Sequence, residues 1–168
     1  GSTGSIGVNT LEVLSLHTEV FNVFALAANS SIENLSNQCK KFNPKFAHVS
    51  KEEDAKKLVS IIKKFDINTE VLFGNKSLNE LVSTSEVDTV VCAISGSAGL
   101  ESSLHAVKAG KKILLANKEA IPYFKNLIDK KIIICRTPKY DSFWKKILLK
   151  NFNKNLDFKY NLIRKKYI

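Results

Sequence analysis

The sequence is poor in the residues that build disulfide frameworks and metal centres. Its 168 residues include only three cysteines, Cys39, Cys92 and Cys135, which lie far apart and form no C-x-x-C pair. No histidine lies at ligand spacing from them, and none of the three histidines has a serine or cysteine partner at a catalytic spacing. We therefore expect reduced thiols, no zinc site and no catalytic histidine.

Long hydrophobic runs are also missing. No apolar stretch approaches the roughly 20 residues that a membrane-spanning helix needs. The first residues also lack the basic-then-apolar order of a secretory signal. We expect a chain that makes no membrane contacts and is located in the cytoplasm. Its length suits one ordinary domain with a full hydrophobic core.

Positive charge and aromatic residues are concentrated at one end of the chain. The formal net charge is +10, yet residues 1–120 contain thirteen lysines, thirteen carboxylates and no arginine. Residues 121–168 contain thirteen lysines and arginines against three aspartates, and therefore carry the whole excess. Nine of the fifteen aromatic residues also follow residue 122. We predict a folded domain over residues 1–120 and a basic, aromatic-rich tail over residues 121–168.

The first of these parts alternates between helical and strand patterns. The stretch SIGVNTLEVLSLH places Ile6, Leu11 and Leu14 on one helical stripe, and FNVFALAA then reads as a buried strand. Apolar runs of strand length follow helical patterns in FAHV, EVLF, DTVVCAI and KILLA. Capping boxes predict three helix starts: Ser30 with Glu33, Ser50 with Glu53, and Ser77 with Glu80. The alternation predicts an α/β fold with a Rossmann-like, doubly wound parallel sheet.

Polar and glycine-rich segments fall where the predicted strands end. AANSS follows FNVFALAA, SGSAG follows DTVVCAI, and ANKEA follows KILLA. Ligands of open parallel sheets bind outside the carboxyl ends of the strands, so these segments predict a ligand site. A phosphate-binding glycine loop should itself follow a strand, whereas GSTGSIG opens this chain. We therefore predict a fragment from which the first strand of the sheet is absent.

The glycine loop by itself leaves two interpretations open. Its spacing matches neither G-x-G-x-x-G nor the P-loop pattern. Either the N–H groups of residues 3–6 bind a pyrophosphate at the positive end of the first helix, or the glycines only pack helix against strand. The spacing alone does not separate these two readings.

The other two polar segments are equally ambiguous as local motifs. Asn29, Ser30 and Ser31 offer amide and hydroxyl donors without the carboxylate that would favour NAD over NADP. As a bare pattern, Ser30 reads first as a helix cap. Lys118 and Glu119 read as a solvated first helical turn, although their place after a strand raises the case for a site.

Taken together, GSTGSIG, FALAANSSIENL, AISGSAGL and ILLANKEA closely resemble the 1-deoxy-D-xylulose 5-phosphate reductoisomerase family. The resemblance is to the N-terminal, NADPH-binding domain and covers residues 1–120, with the motifs in the same order and at the same spacing. It implies an enzyme of non-mevalonate isoprenoid biosynthesis, dimeric in the family. Such enzymes isomerise and reduce 1-deoxy-D-xylulose 5-phosphate to 2-C-methyl-D-erythritol 4-phosphate with NADPH and a divalent metal, Mg²⁺, Mn²⁺ or Co²⁺.

The resemblance also implies a role for each motif. In the family the glycine loop binds the dinucleotide phosphates, a role that falls here on Thr3, Gly4, Ser5 and Ile6. Asn29, Ser30 and Ser31 would surround the adenosine 2′-phosphate, although family members commonly carry a glycine and a basic residue where this chain has Asn29 and Ser30. Asn117 and Glu119 would contact the nicotinamide side of the cofactor, and Lys118 would reach the sugar-phosphate substrate.

The acidic metal motif of the family has no full counterpart in this chain. That motif, D-S-E-H, is expected about 25 residues after ANKE and supplies oxygen ligands to the metal. Here Asp141 and Ser142 are followed by Phe143, Trp144 and Lys145. We expect no metal site in this chain. By family it is part of an NADPH-dependent oxidoreductase, but we expect no turnover from this chain alone.

The basic tail has two interpretations. Lysine interleaved with aromatic residues can bind phosphates and stack bases, which would make the tail a nucleic-acid-binding module. Alternatively, the reading frame is lost after Ala120, because A/T-rich codons give Lys, Asn, Ile, Phe and Tyr in almost any frame. We favour the second and expect no nucleic-acid partner. The competing function classes are a nucleotide-binding module without catalysis and a nucleic-acid-binding protein acting through residues 121–168.

Overall fold

The fold is an alternating series of helices and parallel strands. A computed structural model describes residues 1–117, Tyr123 and the backbone of residues 132–134. The elements are α1 (Ser5–Ser15), β1 (Ala25–Ala27), α2 (Ile32–Phe42), β2 (Phe46–Val49), α3 (Glu52–Lys64), β3 (Glu70–Phe73), α4 (Gly74–Ser83), β4 (Thr89–Cys92), α5 (Leu100–Lys108), β5 (Lys112–Leu115) and β6 (Ile132–Ile134). The predicted strands FAHV and EVLF coincide with β2 and β3 residue for residue.

The strands form two three-stranded sheets. The order is β1-β2-β3 in one sheet and β4-β5-β6 in the other, and every described pair is parallel. In the first sheet Ala25 lies opposite Phe46, and Phe46 lies opposite Glu70. The predicted α/β class with parallel strands is confirmed. Since the strands within each sheet run the same way, their carboxyl ends share one edge of that sheet, where the predicted ligand segments fall.

Each sheet is covered by amphipathic helices that bury one face. In α3 the buried residues are Ala55, Leu58 and Ile62, at the spacing of one helical stripe. Its first turn is acidic and its last turn carries Lys63 and Lys64, which complements the helix dipole. No helix in the described part of the chain is long and apolar enough to cross a membrane.

The core consists of two clusters, one for each sheet. The first cluster includes Leu35, Val49 and Leu58, which are 0% exposed and come from α2, β2 and α3. The second includes Val107 and Ile113, from α5 and β5. Burial of a leucine or isoleucine contributes about 1.5–3 kcal/mol, so these residues contribute strongly to the stability of their respective sheets.

The predicted serine caps are wrong. The helices α2 and α3 have their N-caps one residue after Ser30 and Ser50, and no side chain caps either helix. Ser77 lies inside α4, where its hydroxyl donates to the carbonyl of Gly74 at 3.0 Å. A serine hydroxyl can bond to a carbonyl of the preceding turn as well as to a free N–H, so the capping pattern did not determine where these helices start.

One strand lies beyond the predicted domain boundary at residue 120. The backbone of β6 pairs in parallel with β5, so that Ile113 lies opposite Ile132. The sequence analysis assigned no element there, because the three isoleucines stand among lysines in a segment without clear periodicity. The division into two parts at residue 120 stays a prediction. At least one strand of the second sheet, β6, comes from the residues after this boundary.

The importance of the first core cluster can be tested with two Leu→Ala substitutions. Leu58→Ala should lower the free energy of unfolding by about 2–5 kcal/mol, because it leaves a cavity among fully buried side chains. The matched control is Leu16→Ala, at a residue that is 75% exposed. It should change the free energy of unfolding by less than about 0.5 kcal/mol. Urea unfolding followed by circular dichroism measures both. Equal losses in the two variants would contradict the described core.

Candidate functional site

The glycine loop that precedes α1 lies at the carboxyl end of β1. The N–H group of Ser2 donates to the carbonyl of Ala27 at 2.9 Å, and the N–H group of Gly4 donates to the carbonyl of Gly1 at 3.2 Å. Gly1 also approaches the second sheet, since a Cβ added there would clash with the carbonyl group of Ala93, directly after β4. The loop therefore contacts both sheets at their carboxyl edge.

The first turn of α1 presents backbone donors at this edge. Gly4 is the N-cap residue, and no side chain caps the helix. Among the hydrogen bonds of the described residues, none uses the N–H groups of Thr3, Ser5 or Ile6. Ser5 and Ile6 are exposed. Free N–H groups at a helix start, together with the positive end of the helix dipole, make a chemical environment suited to an anion such as phosphate.

Gly7 allows α1 to pack directly against the loop. A Cβ at Gly7 would lie 2.5 Å from the Cα of Ser2, closer than real Cβ contacts come. Gly4 differs, because a Cβ there would meet only the carbonyl oxygen of Gly1, at an ordinary 3.5 Å. The third glycine of the loop is therefore required by close packing, and the second is not.

The loop is also bonded to α2, through a residue that the sequence analysis did not identify. The side-chain Nε2 of Gln38 donates to the carbonyl of Ser2 at 2.9 Å. The Oε1 of Gln38 and the hydroxyl of Ser2 are both buried without a partner. No local pattern marks Gln38, because its contact is with residues 36 positions earlier. It fixes the position of the loop relative to α2.

The segment after β1 places polar groups beside the loop. Asn29 and Ser30 are exposed, and the carbonyl of Asn29 accepts a hydrogen bond from the N–H of Ser50 at 3.3 Å. Ser31 is the N-cap of α2, and its hydroxyl oxygen accepts from the side-chain amide of Asn34 at 3.0 Å. This bond leaves the hydroxyl proton of Ser31 free to be donated to a ligand.

Asn117 connects the loops after β4 and β5. It is 4% exposed, and its side-chain nitrogen donates to the carbonyls of Ile94 at 2.9 Å and Gly96 at 2.8 Å. Gly99 packs against the side chain of Asn117, because a Cβ added at Gly99 would lie 3.2 Å from that nitrogen. The structure thus uses the amide nitrogen of Asn117 to hold the SGSAG loop. Lys118 and Glu119, the next two predicted site residues, lie outside the described residues.

A buried histidine lies at the same edge. His48 in β2 is 3% exposed, and its Nε2 lies 2.9 Å from the carbonyl of Gly74. Burial lowers the pKa of His48, while the hydrogen bond to Gly74 opposes this. His48 in its neutral form donates from Nε2, which is a structural role.

This shift predicts a loss of stability on mild acidification. The pKa of His48 is lower in the folded chain than in the unfolded one, so the unfolded chain binds more protons and stability falls as the pH drops below the ordinary value of 6.5.

Urea unfolding measured from about pH 8 to 5.5 tests this dependence. His48→Gln should flatten the part of the profile below the ordinary histidine value of 6.5. His105→Gln, at an exposed histidine, is the control and should leave the profile unchanged. A profile that His48→Gln leaves intact would contradict the assignment.

The close packing at Gly7 predicts an asymmetry between two glycines of one loop. Gly7→Ala should lower the free energy of unfolding by about 1–3 kcal/mol, because the added methyl group overlaps the Ser2 backbone. Gly4→Ala should have a smaller effect, since its Cβ meets no close neighbour. Thermal unfolding of the two variants beside the original chain measures the difference. A larger loss for Gly4→Ala would show that the loop packs differently.

Comparisons with known proteins agree over most of the described residues. A family model for 1-deoxy-D-xylulose 5-phosphate reductoisomerase matches residues 1–122. The 1-deoxy-D-xylulose 5-phosphate reductoisomerase of Saccharophagus degradans is 49% identical over 121 residues, and that of Janthinobacterium sp. is 45% identical over 121 residues. Each match covers 72% of this chain and 31% of the relative.

Solved structures give the same result. A crystal structure of DOX-P reductoisomerase in complex with NADPH, fosmidomycin and magnesium superposes with a TM-score of 0.73 at 35% identity, covering 80% of this chain and 34% of that one. The enzyme from Zymomonas mobilis in complex with NADPH gives a TM-score of 0.73 at 26% identity, covering 84% and 41%.

The matched length and the shared architecture settle the family. The chain spans about a third of the length of the curated relatives that it matches. Its parallel sheets superpose on those of the solved reductoisomerases, as the Rossmann-like prediction requires. The family match begins at the glycine loop and ends just past the ANKEA segment. The chain belongs to the 1-deoxy-D-xylulose 5-phosphate reductoisomerase family.

Proposed function

We propose that this chain is the NADPH-binding part of a 1-deoxy-D-xylulose 5-phosphate reductoisomerase. The protein to which it belongs would convert 1-deoxy-D-xylulose 5-phosphate to 2-C-methyl-D-erythritol 4-phosphate. The observation that carries the proposal is the glycine loop, which is bonded to the end of β1 and leads into α1 with unused N–H groups at the carboxyl edge of the sheets. Two solved relatives are complexes with NADPH. Neither a nucleotide-binding module without catalysis nor a nucleic-acid-binding protein finds support in these comparisons.

The donor set of the loop suits a pyrophosphate. The N–H groups of Thr3, Ser5 and Ile6 can donate to phosphate oxygens, with Gly4 allowing the ligand to approach the backbone. The Thr3 and Ser5 hydroxyls add further donors. The buried and unpartnered hydroxyl of Ser2 lies in the same loop and is consistent with a polar site that a ligand or water completes.

The adenosine end of the cofactor would lie over Asn29, Ser30 and Ser31. Nothing in this segment is negatively charged, so a 2′-phosphate meets no repulsion from it. Ser31 is already oriented by Asn34, which leaves its hydroxyl proton for a phosphate oxygen. Because Ser30 replaces the usual basic residue of the family, hydrogen bonds rather than an ion pair would bind the 2′-phosphate at these positions.

The reacting end of the cofactor would lie near the loops that Asn117 connects. Bound NADPH supplies the hydride that reduces the substrate. Asn117 and Glu119 would contact its nicotinamide side, with Asn117 also keeping the SGSAG loop in place through Ile94 and Gly96. Lys118 would bind the sugar-phosphate substrate through the attraction between its ammonium group and the phosphate.

A divalent metal does not fit the described residues. No three His, Cys, Asp or Glu side chains lie together among residues 1–117 in a way that could hold one. We therefore assign no step to a metal in this part of the protein. We further propose that the whole protein is a cytoplasmic homodimer that acts on a small sugar phosphate and has no nucleic-acid partner.

The cofactor site is tested by a charge substitution at the proposed 2′-phosphate position. Asn29→Asp should weaken NADPH binding at least about tenfold, or ~1.4 kcal/mol, because a carboxylate repels the 2′-phosphate. NADH binding should be unchanged or stronger, since the carboxylate can accept from the ribose 2′-OH. Fluorescence titrations with both dinucleotides measure the ratio.

The matched control is Asn68→Asp. It makes the same change of charge at an exposed residue just before β3, at the amino edge of the sheet and so away from the site. It should leave both affinities unchanged. Equal losses of NADPH and NADH affinity in Asn29→Asp would contradict the placement of the 2′-phosphate, and absence of NADPH binding by the original chain would contradict the proposed function.

A further inference from the structure

Two buried polar atoms between the glycine loop and α2 have no hydrogen-bond partner. They are the hydroxyl oxygen of Ser2 and the Oε1 of Gln38. Buried polar atoms in folded proteins are nearly always paired, directly or through an ordered water, because an unpaired one is costly. These two belong to residues that already share a hydrogen bond, from the Nε2 of Gln38 to the carbonyl of Ser2 at 2.9 Å.

The free groups of the two residues are complementary. The carbonyl of Ser2 can only accept, so the Gln38 amide presents its nitrogen there and keeps its oxygen as an acceptor. A serine hydroxyl can donate, and its proton turns freely about the Cβ–Oγ bond. A bond from the Ser2 hydroxyl to Oε1, direct or through one buried water, uses this remaining donor and this remaining acceptor.

The helix α2 is a firm support for such a contact. Leu35 and Cys39, three residues before Gln38 and one residue after it, are 0% exposed and belong to the first core cluster. Gln38 itself is half-buried. A side chain on a packed helix holds its partner more precisely than one on a loop, because the neighbours fix its backbone and restrict its rotamers.

The bonded carbonyl of Ser2 belongs to the same peptide unit as the N–H of Thr3. That N–H is one of the unused donors at the start of α1. Because a peptide unit is planar and trans, its C=O and N–H groups point in opposite directions. The bond from Gln38 to the carbonyl therefore fixes the direction in which the N–H of Thr3 points. A bond accepted by the carbonyl also polarises the peptide unit and strengthens its N–H as a donor.

We propose that Gln38 is a positioning residue for dinucleotide binding. It contacts Ser2 at two points, from Nε2 to the carbonyl and from the Ser2 hydroxyl to Oε1, and thereby aims the N–H of Thr3 at the pyrophosphate. This inference rests on the proposed cofactor site, although Gln38 acts through the loop and touches no ligand atom. NADPH and NADH share the pyrophosphate, so Gln38 contributes equally to the binding of both.

Fluorescence titrations of the full chain and its Gln38 variants with both dinucleotides test the proposal. Gln38→Leu removes both hydrogen bonds and should weaken NADPH and NADH binding by the same factor, about three- to tenfold. Asn29→Asp, in contrast, should change the ratio of the two affinities. The control is Asn37→Leu, at the exposed preceding residue of α2, which should leave both affinities unchanged.

Gln38→Glu should give a pH profile that a merely structural role would not produce. A protonated carboxyl can donate to the carbonyl of Ser2 as the amide does, whereas a carboxylate can only accept. Burial and the facing carbonyl favour the neutral form, so the pKa of this carboxyl should rise above its usual value of about 4.3. The loss of NADH affinity relative to the original chain should shrink as the pH falls from about 8 to about 5.5. Asn37→Asp should show no such recovery.

The contact with Ser2 can also be measured without a cofactor. Gln38 is the only glutamine in the chain, so isotope labelling of glutamine gives a single side-chain amide signal in NMR spectra. Ser2→Ala should shift this signal, because it removes the donor to Oε1. Ser2→Ala should also weaken binding of both dinucleotides, and it should have no further effect in the Gln38→Leu background.

Specific results would overturn the proposal. Unchanged affinities in Gln38→Leu would show that the contact is structural only, and a changed NADPH-to-NADH ratio would place its effect at the 2′-phosphate. A loss in Ser2→Ala that persists in the Gln38→Leu background would show that the Ser2 hydroxyl contacts the ligand itself. Failure of the original chain to bind either dinucleotide would overturn the proposed function together with this inference, whereas the other results overturn the inference alone.

Discussion

The hydrogen bonds accepted by the carbonyl of Ala27 connect the parts on which the candidate site depends. This carbonyl lies at the end of β1 and accepts from the backbone of the glycine loop. Because the loop leads directly into α1, the same contact sets the position of the helix start over the strand ends. Gln38, in α2, also bonds to the loop. An anion at the first turn of α1 would therefore meet donors that two strands and two helices already position.

A second constraint is the arrangement of the strands in two sheets. Each sheet has its own buried cluster, so each is stabilised by its own helices. The residues just before β2 and β4 are joined at the amino edge, where Lys45 pairs with Glu86 at 2.8 Å. At the carboxyl edge Gly1 approaches Ala93, directly after β4. The candidate site thus lies where the two sheets come together, and ligand contacts at this edge would involve both of them.

Much of the fold could be predicted because its signals are local. FAHV and EVLF are short apolar runs between helical patterns, and they form β2 and β3 without an error at either end. The serine caps failed for a reason that is also local. A hydroxyl has several possible backbone partners, and Ser77 bonds to carbonyls of α4 rather than to a free N–H. The strand β6 was missed because its isoleucines stand in a lysine-rich segment whose pairing with β5 depends on a distant element.

The sequence by itself determined the order of the elements, the parallel class of the fold and the family. Periodicity, apolar runs and four motifs carry that information within short windows. It also placed Asn29, Ser30, Ser31 and Asn117 after strands, and therefore at one edge of the sheets. Only the tertiary structure decided that Gln38 supports the loop, that His48 is buried with its Nε2 against the carbonyl of Gly74, and that the amide of Asn117 holds its neighbouring loop. The physical reason is that such contacts join residues more than twenty positions apart, and their geometry depends on packing and strand register that no local pattern contains.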